Sequence, residues 1–129
     1  MRSAVDVVRE FVEAFIQAWP AGDADTLAAF FSEDAVYNNG PFEPVIGRAA
    51  IVASLASFMA MGGDVSVDLL HLVADGEIVL TERIDYVTAG GKTMSLPIMG
   101  AFEVRGGLIA AWRDYFDPSQ FTSQAPNEG

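Results

Sequence analysis

Val65-Ser-Val-Asp-Leu69, then Asp75-Gly76, then Ile78-Val-Leu-Thr-Glu-Arg-Ile-Asp-Tyr-Val87: over this stretch the apolar period changes from that of a helix to that of a strand, and the fold turns on the change. Val65, Val67 and Leu69 alternate with Ser66 and Asp68, and Asp75-Gly76 supplies a tight turn into the next strand. Downstream the pattern repeats. Ala89-Gly-Gly-Lys92 turns into Thr93 to Val104, Arg105-Gly-Gly107 turns again, and Leu108 to Phe116 forms a last strand closed by Pro118. Upstream the period is helical: Val8, Phe11, Val12, Phe15, Ile16 and Trp19 recur at spacings of three and four, which predicts an amphipathic helix over residues 3 to 19, capped by Ser3 and stopped by Pro20 and Gly22. Asp23 or Asp25 caps a second, short helix through Phe31; Ala35 to Asn39 reads as a short strand, and Gly47 to Met61 as a third helix ending before Gly62-Gly63. Helices followed by a four-stranded antiparallel meander predict one α+β domain over residues 1–121, with helices covering one face of a curved sheet. Residues 122–129 are polar and unpatterned and are expected to fray.

The chain has 129 residues, Lys+Arg 7 against Asp+Glu 18, a formal charge of −11, one histidine and no cysteine. That inventory removes disulfides, thiolate metal sites and cysteine nucleophiles, and leaves one imidazole for any triad or histidine cluster. With basic residues scattered, neither nucleic acid nor an anionic membrane is an expected partner. Asp6, Glu10 and Glu13 interrupt the first apolar stretch and no 18 consecutive residues are apolar, so neither a signal peptide nor a membrane span is expected, and the reading is cytoplasmic. Carboxylates are the reactive groups in excess.

Most of them belong in turns or on solvated helix faces; two do not. Asp85 shares one strand face with Arg83 and Val87, and Asp114 shares one with Trp112 and Phe116. A charge flanked by Trp and Phe on its own face needs a partner if it is buried. Arg-x-Asp in a strand is, taken alone, an ordinary structural ion pair. With a second carboxylate, however, a guanidinium can bridge both, giving a triad of net charge −1 when both are ionised, so that one carboxyl can take up a proton while the other stays ionised. That is the condition for simultaneous acid and base work. Tyr37 and Asn39, at i and i+2 on a short strand, point the same way and could hold one water, although Asn before Gly-Pro is also plain turn chemistry. His71, between two leucines, reads as a core or dimer-face residue, and Met59, Met61, Met94 and Met99 as core or pocket wall. The glycine pairs serve turns and form no phosphate loop.

Val36-Tyr-Asn-Asn39, Gly47-Arg48, Thr81-Glu-Arg-Ile-Asp85, Leu96 to Phe102 and Trp112-Arg-Asp-Tyr-Phe-Asp117 together resemble the limonene-1,2-epoxide hydrolase family, within the larger group that shares the nuclear-transport-factor-2-like (NTF2-like, SnoaL-like, cystatin-like) cone fold. The likeness runs from Val8 to Phe121. It implies a curved mixed sheet and three to four helices around a deep apolar pocket, a homodimer, no metal and no organic cofactor. It implies one-step addition of water to a small, neutral, apolar epoxide, cyclic or terpenoid, to give a vicinal diol. On the matching positions Asp114 would deprotonate water, Asp85 would protonate the epoxide oxygen, Arg83 would bridge them, and Tyr37 and Asn39 would hold the water. The expected pocket wall is Phe58, Val87, Leu96, Ile98, Phe116 and Phe121. Against the family pattern, the chain starts close to its first helix, where the limonene enzyme has a longer segment that helps cover the pocket, and Pro97 stands mid-strand, where its missing N–H requires an edge or a bulge.

Two further readings compete. A cone-fold isomerase of the ketosteroid type, or a polyketide cyclase, needs one carboxylate base and a neutral donor beside it, and Arg83 would hold the second carboxyl ionised unless two acids share the site. A non-catalytic ligand-binding domain is the other, since the fold does not fix the function.

Overall fold

The computed structural model describes the backbone of residues 2–124 and the side chains of all of these except Phe121 and Thr122. Helix α1 (Ala4–Ala21) begins at Ser3, whose hydroxyl accepts the Asp6 N–H, and ends at Gly22, whose φ of 67° puts its N–H on the carbonyls of Ala18 and Trp19. Pro20 was expected to end the helix; it lies inside the last turn instead, and the left-handed Gly22 is what turns the chain. The expected second helix is a 3-10 helix (Ala24–Phe30), in which Asp23 binds the Thr26 hydroxyl rather than a backbone N–H. Strand β1 (Phe31–Asn39) is longer than the sequence pattern shows, because its first half pairs irregularly, and a two-residue β2 (Val45–Ile46) follows. After α2 (Arg48–Met59) come β3 (Asp64–Asp75), β4 (Ile78–Ala89), β5 (Lys92–Arg105) and β6 (Leu108–Tyr115), then α3 (Pro118–Gln124).

The sheet order is β2-β1-β6-β5-β4-β3. Strands β3 to β6 form the expected antiparallel meander; β1 joins it parallel to β6, with Tyr37 opposite Trp112 and Asn39 opposite Asp114, so the sheet is mixed. Register shifts in β1, β3 and β5 add the twist that curves it. Phe11, Leu27, Phe31, Ile51, Leu55 and Phe102 lie fully buried between the helices and the inner face. Each such side chain contributes about 1.5–3 kcal/mol by leaving water.

Three expectations are corrected. His71 is not a core residue, which leaves the dimer-face half of its reading: the bulge between Leu69 and His71 turns Leu70 and His71 onto the outer face, where the imidazole pairs with Glu82 at 2.8 Å. Met99 is also on the outer face, half exposed. Thr122 to Gln124 do not fray but continue α3, and the Gln124 amide accepts the Ser95 N–H at 2.9 Å and donates to the Ser95 carbonyl at 2.7 Å; residues 125–129 lie outside the described part. That bond also accounts for Pro97. Ser95 and Pro97 turn their backbone groups to the same edge of β5, beyond the end of β6, where a missing N–H breaks no ladder.

Gly63 makes the turn from α2 into β3 at φ 76°, and a Cβ there would lie 1.8 Å from the Thr88 carbonyl oxygen. Gly22, at φ 67°, has open space around it. Gly22→Ala should therefore cost about 1–2 kcal/mol, the left-handed penalty alone, and Gly63→Ala about 3 kcal/mol or more, since backbone must also move. Equal losses of the two variants in urea unfolding would contradict this.

Candidate active site

The inner faces of β1, β4 and β6 deliver the polar groups. Alternation in β4 points Arg83 and Asp85 inward, alternation in β6 does the same for Trp112 and Asp114, and the parallel register of β1 sets Tyr37 beside Trp112 and Asn39 beside Asp114. Arg83 then spans the two carboxylates. Its Nε donates to Asp85 Oδ1 at 2.8 Å and its Nη2 to Asp85 Oδ2 at 3.3 Å. Its Nη1 and Nη2 donate to Asp114 Oδ1 and Oδ2 at 3.0 and 2.7 Å, the two-pronged geometry that only a guanidinium supplies.

The carboxylates are not equivalent. Asp114 receives a third donor, the Trp112 indole N–H, at 2.8 Å on Oδ1. With two donors on Oδ1, the lone pair left on Asp114 belongs to Oδ2. The Asp85 side chain is 17% exposed against 3% for Asp114, so Asp85 is the one that meets the cavity more fully. Burial pushes the Asp85 carboxyl above the usual carboxylate range; Arg83 pulls it back and the charge of Asp114 adds to the rise. Burial also works against the Arg83 charge, but the two carboxylates more than offset it and hold the guanidinium ionised.

The ring of Trp112 is fixed on both sides of β6: Tyr37 stacks on it at 4.0 Å and 19°, and Phe102 lies near parallel at 5.8 Å and 13°. Phe11 of α1 meets it edge-on at 5.1 Å. Burial raises the Tyr37 phenol well above its ordinary value and Asp114 raises it further, so the hydroxyl stays a neutral donor. Neither the Tyr37 hydroxyl nor the Asn39 amide is hydrogen-bonded to another side chain among the described residues, and both line the same cavity as the triad.

That cavity is ≈ 350 Å³ and its walls are mostly apolar. Phe58, Val87, Leu96, Ile98 and Phe116 all line it; the Phe121 side chain lies outside the described part. Sequence reasoning missed the contribution of α1, through Phe11, Phe15 and Trp19, and the role of Trp112 as donor to Asp114. The second had a signal: an indole at i−2 on a buried carboxylate's own face needs an acceptor. Among the described residues no three metal-ligating side chains converge, and the two carboxylates that do are bridged by Arg83.

Residues 5–127 match the family model described as the limonene-1,2-epoxide hydrolase catalytic domain. The chain is 38% identical over 106 residues to the epoxide hydrolase EphG of Mycobacterium tuberculosis, covering 82% of this chain and 70% of that protein. Its fold superimposes on the structure of an M. tuberculosis LEH-like epoxide hydrolase with a TM-score of 0.74 at 34% identity, over 93% of this chain and 89% of the other. A SnoaL-like protein from Jannaschia sp. CCS1 gives a TM-score of 0.81 at 14% identity, over 96% and 93% of the two chains, which speaks for the shared cone fold alone.

Because folding raises the Asp85 pKa, its contribution to stability is fully present below the ordinary carboxylate value and is lost as pH rises through the raised one. Asp85→Asn should therefore gain on the wild type as pH rises from 4 to about 8. Denaturant unfolding at several pH values checks this, and a stability difference that is flat or falls with pH would contradict it.

Proposed function

This chain belongs to the limonene-1,2-epoxide hydrolase family, whose model covers nearly all of it, and is an epoxide hydrolase; we propose that it adds water to a small, neutral, apolar epoxide, cyclic or terpenoid, in one general acid/base step. The observation that carries the mechanism is the Arg83 bridge between two unequal carboxylates. Asp114 Oδ2 takes a proton from a water held by Tyr37 and Asn39. The water oxygen attacks an epoxide carbon from the side of Asp114, the carbon–oxygen bond breaks, and Asp85 gives its proton to the leaving oxygen. What Asp114 gains Asp85 loses, so the triad's net charge of zero, with one proton on the pair of carboxyls and Arg83 ionised, is unchanged through the step. Arg83 keeps each carboxyl oriented, and its fixed charge offsets the negative charge that develops on the oxygens.

The wall supports the substrate class. Tyr37, Asn39 and the triad are the groups that can hydrogen-bond a ligand within it, so a charged substituent lying against the apolar wall away from them would be stripped of water with nothing to pair it. A cavity of ≈ 350 Å³ stands at the low end of the roughly 300–1,000 Å³ range of ligand pockets, which favours a compact molecule. Phe42, 59% exposed, and Met61, 54% exposed, stand at the open end.

We further read the protein as a cytoplasmic homodimer. Leu70, Leu80, Met99 and Tyr115 are exposed together on the outer face of β3 to β6, an apolar surface that a second copy would cover. Among the described residues no helix is long and apolar enough to cross a membrane.

Asp114→Asn and Asp85→Asn should each lower kcat by at least about 10²–10⁴-fold while the protein stays folded. A single turnover in oxygen-18 water should put the label directly into the diol. Unlabelled oxygen in the first product would mean an aspartyl ester and would end the one-step reading. The raised Asp85 pKa predicts that kcat declines on the alkaline side at a pH above the ordinary carboxylate range, as the acid loses its proton. Leu80→Glu with Met99→Glu should yield monomers by sedimentation; an unchanged sedimentation coefficient would contradict the dimer.

A further inference from the structure

Arg83 and Asp114 do not sit on neighbouring strands. They belong to β4 and β6, with β5 between them. Adjacent strands lie about 4.8 Å apart, so the Arg83 side chain must cross roughly 10 Å of sheet to reach Asp114. What it crosses is Gly100, which pairs with Thr81 of β4 on one side and with Asp114 of β6 on the other. Alternation along β5 directs position 100 inward with Ile98 and Phe102, into the space the guanidinium occupies.

Glycine inside a strand lowers its stability and asks for a reason. The backbone does not provide one, since Gly100 is not among the glycines at positive φ. Space does. A Cβ at this position would lie 2.7 Å from Arg83 Nη1, 2.8 Å from Thr81 Oγ1 and 3.0 Å from Asp114 Oδ1. Two of those three atoms make the hydrogen bond of 3.0 Å that ties the guanidinium to Asp114 Oδ1. The third, on fully buried Thr81, closes the remaining side and leans on the Gly100 carbonyl at 3.4 Å.

We propose that Gly100 is a positioning residue of the active site: the missing side chain on the intervening strand lets Arg83 reach across β5 and hold Asp114. All three crowded atoms are side-chain ends, not backbone. A methyl group at position 100 therefore displaces the guanidinium and the carboxylate by some tenths of an ångström to an ångström and leaves the sheet as it is. The consequence is kinetic. Epoxide binding, which rests on the apolar wall, is retained, while the geometry of base and bridge is lost.

The inference rests on the acid/base reading given above, and the test separates the two. Gly100→Ala is compared with wild type and with Asp114→Asn for epoxide hydrolysis, thermal unfolding and the pH profile of kcat. The expected result is a folded protein whose kcat falls by about 100-fold, the usual effect of a 1 Å misplacement, whose KM changes less than threefold, and whose alkaline limb is displaced from that of wild type. A kcat within threefold of wild type while Asp114→Asn is inactive overturns the role of Gly100. Wild-type activity in Asp114→Asn overturns the acid/base reading instead. Should Gly100→Ala not fold, Thr81→Ala with Gly100→Ala relieves one of the three contacts; its kcat should stay about 100-fold below that of Thr81→Ala alone, and recovery to within threefold overturns the proposal.

Discussion

One buried guanidinium between a buried carboxylate and a partly buried one constrains the rest of this structure. Arg83 and Asp114 are among the most enclosed charged groups in the protein, and burying ions costs several kcal/mol each before pairing offsets it. The cost is tolerable only if nearly every donor and acceptor is met. Arg83 meets four oxygens' worth of acceptor with Nε, Nη1 and Nη2; Asp114 adds the Trp112 indole; among the described residues no side-chain polar atom sealed from both solvent and cavity is left without a partner. Each of these contacts demands a particular register. A one-residue slip of β5 against either neighbour would bring a side chain to the position of Gly100, and a slip of β6 would turn Asp114 to the outer face. The triad thus needs the whole central sheet to be right, and the sheet carries a site that an apolar core would not require.

The aromatic packing serves the same end. Trp112 lies between Tyr37 and Phe102 on the sheet and under Phe11 of α1, so the indole N–H is aimed by contacts from three elements. Large rings that fill the core on one side form the cavity floor on the other. Burial of Phe11 and Trp112 supports the fold, and the same two side chains line the site. Folding stability and the enclosure of the cavity are supplied by one set of contacts.

How much of this the sequence discloses follows from the range of each interaction. Side-chain alternation is local, so the common face of Arg83, Asp85 and Val87 and that of Trp112, Asp114 and Phe116 are legible from strand pattern alone, as are Tyr37 and Asn39 on theirs. The meander of β3 to β6 is legible because its turns are short and glycine-rich. Non-local pairing is not. The parallel contact of β1 with β6 and the first half of β1 depend on a strand about seventy-five residues away, and the two residues of β2 are too few to show a period. His71 fails for a related reason: a bulge at Leu70 changes which face the following residues occupy, and alternation counted through it gives the wrong side. Gly100 looks like any glycine until the strands on either side are known.

Two carboxylates alone would already share a proton, since like charges at close range cannot both ionise, but such a pair is symmetric and either member could act as base. Here the symmetry is broken by donors rather than by distance. Asp114 faces three hydrogen-bond donors and is the more enclosed; Asp85 faces two, one of them long at 3.3 Å, and has the raised pKa. The proposed mechanism accordingly draws its proton from Asp85 and sends the proton of water to Asp114 Oδ2. Trp112 supplies that asymmetry through its single N–H, and Tyr37 and Phe102 supply it through Trp112. The assignment of acid and base in the proposed mechanism is in this sense a property of the aromatic stack and not of the carboxylates themselves.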